Sequence, residues 1–578
     1  MHLGWTDYGV LIILLGLSGF IGLYHGCIRS KQLSTNEFLI ADGRMKTLPT
    51  AMSLLASIMS AATLLGGPVE IYAYGTMYLY WIVAWLTGAY FTANLFIPIF
   101  RRIGNISIYA YFEQRFSLSV RIIITSMFVI VNMIFLAIIL YGPSLALSQV
   151  TGLHIWFAIG SCGIICTLYT SIGGIKAVIW TDVAQTITIF FGIVLSIIFG
   201  FINTGGIRKV FEIAINGNRI QFANITFDLS TRYTIWSIII GGSFYTTAVY
   251  SCLQTQAQRF MCVKSTRAAQ KVAWMNFIMY SMFILLCACV GCILYAKYNR
   301  CDPLRAKLIS KPDQLYPLFV IETLGQFPGL TGLFIAGILS ASLSTISSGI
   351  NSIATVILED IYKRIVIENS ISDKKQAIIS KILSLIIGIL VVFLAFIASY
   401  LGDNILVIVL QIAGSFVSPI LGVYLLGFFA PRVNSRSVLV AFFLCMIFQI
   451  WVLLGASLTI QQPIHKSGRL PISVNGCLPR INITQSIPIH QSSNNVLLPL
   501  YSISVMWYSF NGVFLTVIFG LLGIFIFGSN DPTTVDISLL ASWKDIFSGF
   551  LSNKKSSILE TIDLHEMEKS IIEQEQML

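Results

Sequence analysis

Thirteen mostly apolar runs of about twenty or more residues, each long enough to cross a bilayer as a helix, follow one another between Tyr8 and Phe527. The charged residues fall mainly between them. Lipid offers no hydrogen bonds to the backbone, so a chain of such runs folds as a helical bundle. The expected spans are 8–28, 48–77, 80–100, 121–150, 154–172, 179–203, 233–256, 272–296, 329–358, 382–402, 405–430, 437–457 and 503–527. Composition fits a lipid bilayer partner: 56% of residues are hydrophobic and 11% charged, where a soluble domain carries roughly 25% charge. The net charge of +11 is therefore read as a topology signal and not as a nucleic-acid footprint.

Thirteen spans put the termini on opposite sides. With the N-terminus outside, the inner loops hold 20 Lys and Arg, the C-terminal tail four more and the longer outer loops 12. Basic residues favour the cytoplasmic side, so the expectation is an extracellular N-terminus, a cytoplasmic C-terminus and a plasma-membrane location. The Asn-Ile-Thr sequons at Asn224 and Asn482 then lie outside, as glycosylation requires. Cys301 and Cys477 also fall in outer loops, where a disulfide can persist. No basic residue precedes the first run, and Asp7 does, which argues for a retained helix rather than a cleaved signal.

The segment from Thr323 to Leu358 is uncharged yet dense in hydroxyls. At about 100° per residue, Ala341, Ser344, Thr345, Ser348 and Ser352 share one face. Such a face meets either a neighbouring helix or a hard cation, which hydroxyl and carbonyl oxygens suit. Two other spans carry candidate interruptions, Gly66-Gly67-Pro68 in the second and Gly241-Gly242 in the seventh. Interrupted spans in corresponding positions of two halves point to an inverted-repeat transporter with a midplane site, and glycines also serve close helix packing. Asp182 is read either as a carboxylate on an ion path or as partner of an arginine such as Arg259. Glu70 could meet solute or cap a helix, and Gln411 is a lone amide in an apolar run. No buried arginine within the spans presents itself as a carboxylate clamp. No GxxxxGK[ST] loop and no HExxH pair occur, so neither an ATP motor of that type nor a zinc hydrolase is expected, and the chain is not read as an enzyme.

Three strings occur in order: Ser53-Leu54-Leu55-Ala56-Ser57 before Gly66-Gly67-Pro68, then Gly173-Gly174 through Thr181-Asp182 to Gln185, then Ala341-Ser342-Leu343-Ser344-Thr345. Together they resemble the solute:sodium symporter family over nearly the whole chain. Cys301-Asp302-Pro303-Leu304 and Lys311-Pro312-Asp313-Gln314 resemble its monocarboxylate, multivitamin and iodide branch. The resemblance implies an all-α membrane protein with a five-plus-five inverted-repeat, LeuT-like core. Residues 1–47 would hold the first helix, 48–203 and 233–430 the two repeats of a core spanning 48–430, 431–527 two further helices with a long outer loop, and 528–578 a tail. It implies sodium as the co-transported ion, held by carbonyls of Ala56, Met59 and Ala341 and hydroxyls of Ser344 and Thr345. Asp182 matches an acidic residue on sodium's path inward. Ser57 and Gln185 match a second sodium site. Ser60, Thr63 and Gln411 match positions near solute. Thr63 stands where the iodide carrier has Gln, and Ser60-Ala61-Ala62-Thr63 departs from the hexose carriers.

The implied function is sodium-driven import of a small organic solute by alternating access. The leading class is a monocarboxylate or carboxylate vitamin. An iodide-like anion, choline, a polyol or a non-transporting sensor or channel are the alternatives. One sodium entering across about 70 mV supplies about 1.6 kcal/mol, and a tenfold gradient about 1.4 more. A monovalent anion returns the voltage part, so strong anion accumulation needs two or more sodium ions. Nothing in the sequence sets the oligomeric state.

Overall fold

A computed structural model describes residues 4–24, 34–365, 372–398, 405–459, 468–477 and 498–541. Asn482 and most of the 528–578 tail lie outside them. The described chain is helical, with one isolated bridge between Met45 and Val263 and no other strand pairing among the described residues. The thirteen spans are α1 (Trp5–Leu23), α2 (Thr47–Ile58 and Ala61–Tyr74), α3 (Thr76–Ile103), α4 (Leu118–Thr151), α5 (155–173), α6 (175–204), α7 (237–252 and Gln254–Met261), α8 (Thr266–Tyr298), α9 (Leu330–Tyr362), α10 (Asp373–Ala398), α11 (Ile405–Phe429), α12 (Ser435–Thr459) and α13 (Trp507–Phe527). Helices α5 and α6 are joined at Gly174 alone, whose φ of +58° suits glycine. A side chain there would also strike the Phe38 ring.

Spans α2 and α7 are the first members of two successive groups of five, and both are broken. The breaks are not where the glycines predicted them. The helix runs unbroken from Ala61 to Tyr74 through Gly66, Gly67 and Pro68, and from Ser237 to Cys252 through Gly241 and Gly242. The chain opens instead at Met59-Ser60, where ψ rises to 94° and 170° and the halves bend by 66°, and at Leu253, with ψ 125°. The glycines serve packing. A Cβ on Gly66 would lie 2.7 Å from Leu406 of α11, and one on Gly241 would lie 2.2 Å from the Met506 carbonyl. We call the halves α2a and α2b, and α7a and α7b.

The start of α9 is fixed by α1. Asp7 Oδ1 accepts from the N–H groups of Gly329 and Gly332, both at 3.0 Å, which neutralises unpaired donors at the helix N-terminus. A Cβ on Gly332 would meet the Asp7 carbonyl at 2.3 Å, so glycine is needed for the approach. On the same face of the bundle Cys301 and Cys477 form a disulfide, their Cα atoms 5.0 Å apart. It fastens the end of α8 to the loop preceding α13. Span α10 begins at Asp373, well before the apolar run expected from 382, because the helix continues through the charged turns Lys374-Lys375 and Lys381.

Candidate functional site

The hydroxyl face of α9 is buried along its length, and its members meet three different helices. Ser344 Oγ donates to Asp182 Oδ1 of α6 at 2.5 Å. Thr345 Oγ1 lies 3.0 Å from Ala341 O on its own helix and 3.5 Å from Ala56 O on α2a. Ser348 Oγ accepts from Arg259 of α7b, and Ser352 Oγ is 2.9 Å from Thr255 Oγ1 of the same half-helix. Ser348 and Ser352 thus bond helix to helix. Ser344 and Thr345 sit where α9 faces the break in α2.

At that break Met59 N donates to Leu55 O at 2.8 Å, closing α2a. The extended ψ of Met59 turns its own carbonyl out of the helix. Met59, Ala56 and Ala341 are fully buried. An ion of calcium's size takes oxygens at about 2.3–2.6 Å, so neighbouring ligands at right angles stand about 3.3–3.7 Å apart. Sodium is similar in size. The Thr345–Ala56 separation falls in that range. Because the Ser344 hydroxyl spends its proton on Asp182, its lone pairs are left to accept.

Asp182 is a partner of Arg259, in line with one of its two readings. Arg259 Nη2 lies 3.1 Å from Asp182 Oδ2, which also accepts from Ser53 Oγ at 2.5 Å. Arg259 further donates to Ser53 Oγ at 2.8 Å and Thr255 O at 2.6 Å. Both charges are desolvated and mutually compensated, as buried ions must be. Arg259 is buried but paired, so it is not a lone arginine free to clamp a carboxylate. The break at Leu253 places it inside the bundle, where apolar run length had put it in an inner loop. It is committed to Asp182 and does not line the cavity.

Beside the break lies a cavity of about 1180 Å³, open mouth included. Its walls come mainly from α2, α3, α4, α7, α8 and α11. Its lining is mostly apolar, aliphatic side chains together with rings such as Tyr78, Trp81, Trp85 and Tyr245. Ser60 and Thr63 line it, and so do Ser57, Gln256 and Thr345. None of the lining residues is Asp, Glu, Lys or Arg. Two lining groups that sequence reasoning missed are Trp81 and Asn132. The indole Nε1 and the amide Nδ2 are both buried and have no hydrogen-bond partner. Both are donors. The signal for Asn132 was a lone amide in the fourth apolar run.

Other expected site residues have partners or places of their own. Ser57 Oγ donates to Gln256 Oε1 at 2.9 Å and Leu54 O at 2.8 Å. Gln185 is buried with neither amide atom partnered, so it shares no hydrogen bond with Ser57. Gln411 is half-buried and off the cavity, which α11 lines instead with Leu406, Val409, Leu410, Ile412 and Ala413. The π-helical turn at Ala413–Val417 inserts residues between Gln411 and Pro419 and rotates the face. Glu70 pairs with Arg232 at 2.8 Å and accepts from Tyr233 OH at 2.7 Å. Asn224 stands in the loop before α7 and holds Tyr233 O through Nδ2 at 3.2 Å.

Known proteins were compared with this arrangement. A solved Na+-coupled sialic acid symporter in a substrate-bound, outward-open state superposes with a TM-score of 0.71 over 92% of this chain and 99% of that one, at 22% identity. The human sodium/iodide cotransporter is 36% identical, covering 94% of this chain and 86% of its own length. Mouse sodium-coupled monocarboxylate transporter 2 is 34% identical over 96% and 88%. A putative sodium-dependent multivitamin transporter of Drosophila melanogaster is 35% identical over 90% and 86%. The model of the sodium:solute symporter family matches residues 38–445, and the chain belongs to that family.

Proposed function

We propose that this symporter couples sodium entry to uptake of a small organic monoanion, a monocarboxylate or a carboxylate vitamin, across the plasma membrane with its N-terminus outside. The observation behind an acceptor-bearing solute is that two residues of the cavity wall, Trp81 and Asn132, hold buried donors, Nε1 and Nδ2, without a partner. A buried donor without an acceptor costs about 1–3 kcal/mol, and a carboxylate supplies two oxygens. The N-terminus of α2b, beginning after Ser60, adds a positive dipole end. No cationic side chain lines the cavity, so sodium brings the balancing charge. The aromatic walls suit a solute with an apolar body.

Sodium would sit between α2a and α9, on carbonyls of Ala56, Met59 and Ala341 and hydroxyls of Ser344 and Thr345. Asp182, paired with Arg259, lies on the side of Ser344 away from the break and would receive the ion as it leaves. Binding holds α2a against α9, and both sites then open inward as one group of helices moves against the other.

Radiolabelled uptake into cells expressing the chain, with sodium present and absent, tests the reading across lactate, nicotinate, biotin, pantothenate, iodide and glucose. Sodium-dependent accumulation of one or more carboxylates is expected. Accumulation of iodide alone would support the halide reading that the first relative's name suggests. Glucose uptake, or sodium current with no solute accumulation, would overturn the proposal. Trp81→Phe keeps an aromatic ring, though a smaller one, and removes the donor, and should raise KM for a carboxylate without changing sodium dependence.

A further inference from the structure

On the disulfide-bearing face of the bundle, one aromatic layer above the cavity, Glu70 of α2b pairs with Arg232 from the loop before α7. Glu70 Oε1 lies 2.8 Å from Arg232 Nη2, and Glu70 Oε2 accepts from Tyr233 OH at 2.7 Å. The Tyr233 ring stands edge-on to Tyr78, centroids 6.0 Å apart, and Tyr78 lies 6.3 Å from Trp81. Tyr78 and Trp81 both line the cavity. The ion pair and the cavity therefore share one wall.

Arg219 and Arg232, both on this face, differ in how they are used. Arg219 donates to three carbonyls, of Tyr72, Gly217 and Pro471, at 2.7–2.8 Å, and its guanidinium lies 3.9 Å over the Tyr295 ring. Every nitrogen is committed, as in a structural clamp. Arg232 has one strong bond, to Glu70, and a weak one to Tyr74 OH at 3.3 Å, and its guanidinium lies 4.8 Å over the Tyr74 ring and 5.6 Å over that of Tyr233. Its Nε is buried without a partner. The Arg232 side chain is 17% exposed against 2% for Glu70. The cation thus faces the approach and its counter-ion lies behind. The Arg232 backbone is pinned, its carbonyl accepting from Ser504 Oγ at 3.0 Å, so the guanidinium can change partner without the loop moving.

We propose that Arg232 is the entry site for the anionic head group of the solute, with Glu70 as the resident counter-ion that the head group replaces before passing Tyr78 into the cavity. Such a site sets charge selectivity at the mouth, where arginine's planar fork matches a carboxylate. It rests on the anion reading and the orientation given above, and its test needs neither a known solute nor transport.

Thr63→Cys places a thiol in the cavity wall. Intact cells are treated from outside with an anionic methanethiosulfonate (ethylsulfonate) or a cationic one (ethyltrimethylammonium), and labelling of residue 63 is read by mass spectrometry. Glu70→Gln leaves Arg232 unopposed and should raise the anion-to-cation rate ratio about tenfold, within the range of electrostatic steering. Arg232→Gln should lower it by a similar factor, and the double substitution should return it towards the parent. The Glu70→Gln effect should shrink as salt rises. Equal acceleration of both reagents would mean that the pair is only a mechanical latch, and an unchanged ratio would mean that it is off the path. Either result overturns the proposal. If Glu70→Gln fails to reach the surface, Arg232→Gln and Arg232→Lys carry the test, since Lys keeps the charge and should keep the parent ratio. A normal ratio shift beside failed carboxylate uptake would instead refute the solute.

Discussion

Thr345→Ala distinguishes an ion ligand from helix packing. The hydroxyl reaches two carbonyl oxygens, Ala341 O at 3.0 Å and Ala56 O at 3.5 Å. The first is the bond a helical threonine makes to its own preceding turn, and its loss leaves that carbonyl its helical partner. As a packing residue, Thr345 would cost stability when truncated and leave sodium dependence alone. As a ligand, its oxygen meets a cation, and polar contacts to a charge contribute about 1.5–3 kcal/mol. At about 1.4 kcal/mol per tenfold, the sodium concentration for half-maximal uptake should rise roughly ten- to a hundredfold. Thr345→Ser keeps the oxygen and drops one methyl, about 0.8 kcal/mol, so its shift should stay within about fourfold. Uptake is titrated against sodium and normalised to surface-biotinylated protein. Sodium-dependent thermal stabilisation of purified protein gives a second reading that needs no solute. Unchanged half-saturation in Thr345→Ala at normal surface level would refute the ion site.

Removing one member of the Asp182–Arg259 pair leaves a buried uncompensated charge, which costs about 3–5 kcal/mol. Asp182→Asn and Arg259→Gln should each lower the thermal midpoint in detergent, and the double variant should recover part of the loss. Additive losses would show that the pair is not coupled. Gly66→Ala drives a methyl into Leu406; overpacking costs about 1–3 kcal/mol, so the midpoint should fall although alanine favours helix. Asp313, in the loop between α8 and α9, is pushed up from 3.8 to about 6 by burial, against the opposing Ile405 N–H. A carboxyl raised in the folded state contributes stability that is fully present below about pH 3.8 and lost as pH rises through about 6. The midpoint should therefore fall between pH 4 and 7 relative to Asp313→Asn, and parallel curves would exclude this carboxyl.

The spans were legible because lipid leaves few alternatives for an apolar run. The breaks were not. Gly66 and Gly241 mimic breaks by composition, yet they allow close contact with Leu406 and Met506. The true breaks at Met59-Ser60 and Leu253 carry no Gly or Pro. The second is marked by the polar residues directly after it, Gln254-Thr255-Gln256 and Gln258-Arg259. Gln254 bonds Ile106 O and Ile108 N, Gln256 bonds Ser57, and Arg259 bonds Asp182. Tertiary partners hold the open backbone there, and only a polar run inside an apolar span betrays them. The α9 hydroxyl face was legible from the helical period, whereas its division into helix-bonding and break-facing members depends on neighbours distant in sequence.

One five-residue stretch, Ala56 to Ser60, touches both candidate sites, and this suggests how ion and solute are coupled. The Ala56 carbonyl faces Thr345, the Ser57 hydroxyl holds α7b through Gln256, and Ser60 lines the cavity. At 3.5 Å the Thr345–Ala56 contact is too long to be a strong hydrogen bond, so without an ion it does little to hold α2a against α9. An ion between them supplies the missing attraction and fixes where Ser60 and Thr63 project. A ligand shifts such an equilibrium only by its differential affinity for the two arrangements. In the proposed site sodium would bind the closed gap and have few ligands once α2a withdraws, which would make the difference large on this side. By linkage, whatever factor sodium adds to solute affinity the solute returns to sodium. Thr345→Ala should therefore weaken solute binding at low sodium, with binding recovering at saturating sodium, although Thr345 is not one of the proposed solute donors, Trp81 and Asn132.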